Sequence, residues 1–229
     1  MSRTETHSPI VPGRDFDQTF PSDPGASAPE PSNVEVPARP EGVPYRFHVD
    51  DFYRMIELDF FARESRVGLW DGQVYEKMAK KYPHSASSIE LLTNLSRVVT
   101  PGWCISVENP ITIAPDKAPL PDLAILRGRG RDYFTRRPGV ADVGLIVELA
   151  DSSLKIDTGV KLAAYARAGI PAYWVVNLVA NVVQVYERPI PEEGRYDVSE
   201  SYAPGALIPL QLDGVAIGPI AASDLLPAP

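Results

Sequence analysis

From Tyr45 onward the spacing of apolar residues switches between a helical and a strand period, and each switch predicts an element. In "FHVDDFYRMIELDFFARES" the apolar residues Phe52, Met55, Ile56 and Phe60 recur at helical spacing behind an Asp50–Asp51 pair suited to capping, which predicts a first helix. "RVGLWDGQVYEK" places two short apolar runs around Asp71-Gly72, the strongest short-range hairpin signal. A second helix is predicted over "HSASSIELLTNLSRVVT", stopped by Pro101-Gly102. Strands follow in "WCISVE", "PITIA", "DLAILR" and "VGLIVELA". "DTGVKLAAYARAG" returns to the helical period, with Gly169 at its stop and Pro171 just beyond. "AYWVVNL" and "NVVQVYER" predict a hairpin, and short strands continue to the C-terminus. Helices first, then mostly strands with one helix inserted, indicate an α+β or α/β domain built on a mixed sheet. There is no internal repeat.

Residues 1–44 break this pattern. They hold nine of the 24 prolines, with many Ser, Gly and Glu and almost no apolar periodicity. Such a stretch buries too little apolar area to offset its ordering entropy, so a disordered tail over 1–44 and a folded domain over 45–229 are expected. No basic start leads into an apolar run, so no signal peptide is expected. The most apolar window is interrupted by Asn177 and Asn181 and is too short to span a bilayer. The single cysteine, Cys104, allows no internal disulfide, which suits a reducing cytoplasm.

Charge argues two ways. The net charge of −8 is unlike that of a typical phosphate-binding protein, but the tail, with three arginines and seven acids, carries half of it. Within the domain, "RGRGRDYFTRR" gathers Arg127, Arg129, Arg131, Arg136 and Arg137, and "EKMAKKY" adds Lys77, Lys80 and Lys81. These segments are either solvated loops or a phosphate-facing rim, with Arg127, Arg129, Arg131, Lys80 and Lys81 as the candidate nucleic-acid contacts.

Candidate chemistry lies at strand ends. Asp122 follows Pro121 and opens the apolar run "LAIL", and Glu148 lies within "VGLIVELA". An unpaired charge among such neighbours is costly, so each acid needs a partner. A hard divalent cation is one, since Mg²⁺ takes one or two carboxylates and completes its shell with water and phosphate oxygens. Lys161 is another. It lies on the following helix, flanked at four residues either side by Asp157 and Tyr165, so the three share a face. A lysine there could orient or deprotonate a water, or stabilise charge growing on a phosphorane-like transition state. The alternatives are ordinary: turn chemistry for Pro121-Asp122, a helix cap for Asp157, and a structural Glu148–Lys161 salt bridge without metal.

Four stretches, "RVGLWDGQVYE…H", "ENPITIAPDKAPLPDLAIL", "LIVELADSSLKIDTGVKLAAYARAGIPAYWVVNL" and "VVQVYERP", resemble successive signatures of the Uma-two family of restriction-endonuclease-like proteins. That family is a branch of the PD-(D/E)XK nuclease fold, and the resemblance runs from about Tyr45 to the C-terminus. It implies a mixed β-sheet with flanking helices and an N-terminal helix–hairpin–helix portion. It also implies a metal-dependent endonuclease acting on DNA, with Mg²⁺ or Mn²⁺ held by Asp122 and Glu148. The superfamily lysine would fall at Ala150, which cannot serve, and the resemblance suggests that this role has moved to Lys161. His84 stands where the family often has a histidine and is a further candidate, as are Asp157 and Tyr165. Relatives usually carry a glutamate where this chain has Gly68. Its loss, unless Glu64 or Glu76 compensates, supports the alternative of a catalytically weakened module that binds nucleic acid or a protein. Superfamily analogy adds a homodimer that cuts both strands.

Deleting residues 1–42 is expected to leave the melting temperature of the domain unchanged. A large drop in thermal stability of the truncated protein would show that the segment packs on the domain.

Overall fold

The computed structural model describes residues 42–78 and 82–227, and Pro44–Pro229 form one compact unit. Helix α1 (Val49–Glu57) is followed by the hairpin of β1 (Val67–Trp70) and β2 (Gln73–Glu76), and then by helix α2 (Tyr82–Val98). Strands β3 (Trp103–Val107), β4 (Leu123–Arg127) and β5 (Val143–Ala150) lead to helix α3 (154–167). After it come β6 (Ala172–Asn177), β7 (Val182–Ile190), β8 (Arg195–Tyr202), β9 (Leu207–Leu212) and β10 (Val215–Ala221). The elements form the mixed α+β fold expected from the sequence, with its N-terminal helix–hairpin–helix portion.

Six strands make the central sheet in the order β3-β4-β5-β6-β7-β8. Every neighbouring pair is antiparallel except β5 and β6, which α3 joins as a parallel crossover. All eight residues of β5 and all six of β6 are buried, because both faces of the sheet are covered. Period-two alternation divides the core. Leu123, Ile125, Leu145, Val147, Leu149, Trp174 and Val176 face α2 residues Leu91 and Leu95 and the β9–β10 hairpin. Ala124, Leu126, Ile146, Ala150, Tyr173 and Val175 face α3 through Tyr165 and Ala166. By the same parity Asp122 and Glu148 belong to the α3 face.

Three expectations change. The stretch "PITIA" forms no strand of the sheet; it makes only isolated bridges, Thr112 to Gly139 and Ala114 to Lys117, between the prolines at 110 and 115. Helix α1 stops at Glu57, and Asp59 turns the chain with a φ of 51°, which leaves Phe60 exposed. Asp157 lies inside α3 rather than capping it, since the N-cap is Ser153.

The β1–β2 hairpin is the part of the N-terminal region that reaches the site. Asp71 and Gly72 adopt φ values of 49° and 69°, as a tight two-residue turn requires. Leu69 then exchanges both backbone hydrogen bonds with Ala118, at 3.0 and 2.9 Å, fixing the hairpin against the approach to β4. Opposite Gly68 stands Tyr75. A β-carbon at position 68 would lie 2.6 Å from the tyrosine ring, whose hydroxyl accepts a 3.0 Å hydrogen bond from the Leu120 amide.

Gly68→Ala is therefore expected to cost about 1–3 kcal/mol through overpacking. The penalty should shrink when Tyr75 is also replaced by Leu. Equal melting temperatures for Gly68→Ala and wild type, with an unchanged exchange rate at the Leu120 amide, would show that the ring has room to move.

Candidate active site

Asp122 and Glu148 meet where β4 begins and β5 ends. Leu123 pairs with Val147, so the next step of the antiparallel register sets Asp122 opposite Glu148. Their side chains are 3% and 1% exposed, and both line a cleft of about 620 Å³. Asp122 Oδ2 accepts a 2.8 Å hydrogen bond from the Leu149 amide, while Oδ1 lies 3.0 Å from Lys77 Nζ. Glu148 Oε1 accepts from the Tyr165 hydroxyl at 3.1 Å and from Lys161 Nζ at 3.0 Å.

Lys161 reaches this strand from a widened turn of α3. Its middle turn, Asp157–Lys161, is π-helical, a form that often marks functional sites. Tyr173 on β6 donates to the Asp157 carbonyl at 3.0 Å, and Ser153 Oγ donates to Asp157 Oδ2 at 2.5 Å. Asp157 Oδ1 in turn holds Lys161 Nζ at 2.7 Å. The lysine thus bridges the carboxylates of Glu148 and Asp157, and with Tyr165 they form one cluster.

His84, at the start of α2, also faces the cleft. Its Nε2 lies 3.0 Å from the Leu149 carbonyl and 3.9 Å from Asp122 Oδ2. Lys80 and Lys81 lie outside the described residues. The arginine segment leaves β4 at its far end, roughly 16 Å from Asp122 at strand rise. None of its residues lines the cleft. Arg127 pairs with Asp213, Arg129 with Asp132, Arg136 with Asp142, and Arg137 with Asp50 and Glu57, whereas Arg131 is exposed. Glu64 and Glu76 are exposed and do not line the cleft, so neither replaces an acid at Gly68.

Lys77, named in the sequence only as part of a basic segment, is the residue whose place beside the acids sequence reasoning missed. Gln73, Tyr75 and Lys77 alternate along one face of the hairpin and line the cleft. The Lys77 ammonium donates to the Leu120 carbonyl at 3.1 Å and to Asp122 Oδ1, and stands 3.8 Å from Glu148 Oε2. The tight Asp-Gly turn makes the face predictable. Only the docking of the hairpin beside β4 brings that face to the acids.

Burial pushes the Glu148 carboxyl above its ordinary value; Lys161 and Lys77 pull it down without cancelling the effect, and Asp122 and Asp157 add to the rise. Burial alone would lower the Lys161 pKa, but Glu148 and Asp157 outweigh it and hold the ammonium above its ordinary range. Lys161 is therefore a cation at neutral pH. Burial, reinforced by Glu148, keeps the Tyr165 phenol well above its usual range, so it stays a neutral donor.

Among the described residues no group of three or more His, Cys, Asp and Glu side chains is placed to hold a metal ion. The donor set nevertheless fits a hard cation. Oxygens of Asp122 and Glu148 converge on one ammonium, and Mg²⁺ needs only one or two carboxylates when water and phosphate complete its shell.

The family model of Uma2, "Putative restriction endonuclease", matches residues 49–217. The chain belongs to the Uma2 family. Its fold is similar to the crystal structure of a putative nuclease belonging to DUF820 from Anabaena variabilis, with a TM-score of 0.58 and 18% identity, over 78% of this chain and 97% of that one. At that identity the likeness shows the fold. No curated protein matches the chain. Among the described residues of this Uma2 member, no helix is long and apolar enough to cross a membrane.

The raised Glu148 pKa sets a pH dependence. The folded state favours the protonated acid, so the stability this group contributes is full below its ordinary value of 4.5 and is lost as pH rises through the higher folded value. Glu148→Gln imitates the protonated acid. With EDTA present, its melting temperature is expected to rise relative to wild type as the pH increases above 4.5. A difference that stays constant with pH would mean that the two lysines fully offset burial.

Proposed function

We propose that this Uma2 protein is a divalent-metal-dependent endonuclease that hydrolyses phosphodiester bonds in DNA. The observation that supports this most directly is the convergence of Asp122 and Glu148 on one cation position, with Lys161 on the adjoining oxygen of Glu148. Asp122 and Glu148 would hold Mg²⁺ or Mn²⁺. When bound, such an ion supplies Lewis acidity and lowers the pKa of a coordinated water.

The protein's own groups account for the rest. Glu148 and Asp157 hold the Lys161 ammonium at the cleft, where its remaining N–H can orient the attacking water or meet negative charge developing on the phosphoryl oxygens. Because Lys161 stays charged, it acts as a donor and a counter-charge and not as a base. Tyr165 and the Leu149 amide fix the two acids, so their orientation does not depend on substrate. His84 and Asp157 are positioning residues in this reading. The exposed Arg131 and its neighbours Arg127 and Arg129 would meet phosphates away from the scissile bond. In a homodimer two such clefts would address two strands.

A second reading has support at one place. Tyr75 covers Gly68, where the family resemblance leads one to expect an acid, and Lys77 adds a positive charge beside the pair, which fits a weakened enzyme that binds nucleic acid or a protein.

Plasmid nicking with and without Mn²⁺, combined with Mn²⁺ binding, separates these readings. Asp122→Ala and Glu148→Ala are expected to lose both binding and cleavage. Lys161→Ala should retain the ion and lose at least about 100-fold in rate, the scale of one electrostatic donor. Lys161→Arg should recover little, since guanidinium is planar and bulkier than the ammonium it replaces. Wild-type protein that binds Mn²⁺ and DNA without nicking would favour the binding module. Absence of Mn²⁺ binding in wild type at millimolar ion, together with a destabilised Lys161→Ala, would leave only a structural salt bridge.

A further inference from the structure

The Lys77 ammonium sits among three oxygens: the Asp122 carboxylate at 3.0 Å, the Leu120 carbonyl at 3.1 Å and the Glu148 carboxylate at 3.8 Å. A hard cation placed between Asp122 and Glu148 would use the same carboxylate oxygens, at about 2.0–2.1 Å for Mg²⁺. The two charges cannot share that space. At such separations a lysine and a divalent ion repel by several kcal/mol even at an effective dielectric constant of about 20. The lysine has somewhere to go, because its side chain already lines the cleft and is 17% exposed. Lys161 is differently placed. It holds the other oxygen of Glu148 together with Asp157, so it can remain when an ion arrives.

We propose that Lys77 is a resident counter-cation shared by Asp122 and Glu148, and that a divalent ion between these acids enters by displacing it. This rests on the reading of that pair as a metal site. Three consequences follow from the geometry. Without metal, Lys77 stands between two buried carboxylates and offsets part of their mutual repulsion. The protein binds divalent ions more weakly than the same carboxylates would without Lys77. Once displaced, the ammonium stays tethered to the hairpin at the cleft, available to a phosphate oxygen of the substrate. Lys77 would thus couple ion entry to the charge of the cleft, as a positioning residue that competes with the metal for its ligands.

The test is Mn²⁺ binding to the full chain, followed by the resonance of the free ion, for wild type, Lys77→Met, Lys77→Arg, Glu148→Gln and Lys77→Met/Glu148→Gln. Lys77→Met keeps the length of the side chain and removes its charge, and is expected to bind Mn²⁺ about tenfold tighter or more, one charge contact being worth at least that much. Lys77→Arg should remain close to wild type, and the double variant should lose the gain. A second measurement needs no variant: the rate of reductive methylation at Lys77, followed by mass spectrometry, should rise severalfold when Mn²⁺ is added to wild type, while that of Lys161 stays unchanged. Equal affinity in wild type and Lys77→Met, both abolished by Glu148→Gln, would overturn the displacement of Lys77 and leave the metal site standing. No binding in either would overturn both. If Lys77→Met does not fold, an unchanged methylation rate in wild type still overturns the proposal.

Discussion

Two carboxylates buried side by side at the junction of β4 and β5 are the constraint around which the rest of the site is arranged. Neither acid has enough solvent to carry its charge alone, and together they repel. The surroundings answer with hydrogen bonds and cations from every adjoining element. The Leu149 amide serves Asp122, the Tyr165 hydroxyl serves Glu148, Lys77 arrives from the hairpin, and Lys161 from the helix. Removing one partner from a truly buried pair costs on the order of 3–5 kcal/mol, so Lys161, held by both Glu148 and Asp157, ties the helix to this geometry.

The sheet explains why such a cluster can exist at the end of an apolar strand. Glu148 lies toward the C-terminal end of β5, beside the parallel strand β6, and the crossover helix α3 returns over that edge. In sheets with parallel crossovers, the crevice outside the carboxyl ends of the strands is the place where ligands can approach. Strand parity sends Leu145, Val147 and Leu149 into one core and Ile146, Glu148 and Ala150 toward α3. The acid therefore faces a helix that can supply charge. The π turn Asp157–Lys161 makes the supply specific, since it is anchored by the Tyr173 hydroxyl and places an acid and a lysine together.

The N-terminal hairpin tunes the other side of the cleft. Gly68 makes room for Tyr75, and Tyr75 binds the Leu120 amide next to the carbonyl that Lys77 uses. Here this chain brings an aromatic ring and an ammonium to the cleft. The ammonium makes the cleft less negative beside the two acids. Outside the cleft, most of the arginine segment spends its charge on nearby acids, including the bidentate Arg136–Asp142 pair. The net charge of the chain is thus a poor guide to the field at the site.

Periodicity and turn chemistry are local, and what they control was legible along the chain. The Asp71-Gly72 hairpin, the apolar run ending near Glu148, and the helix stopped by Gly169 each follow from spacing within a dozen residues. Asp122 and Glu148 were also legible, because an acid opening or closing an apolar run contradicts its neighbours. "PITIA" misled because alternation also occurs in a segment whose flanking prolines keep it out of the ladder. The π turn was not foreseen from the sequence, and one of its carbonyls is met by a hydroxyl from β6. Lys77 could be assigned to a face of its hairpin but not to the acids, because its partners lie 45 and 71 residues away and meet it only when Leu69 bridges to Ala118. The sequence determined which residues resist burial alone; the tertiary structure decided which cations neutralise them, because that choice depends on contacts no local pattern encodes.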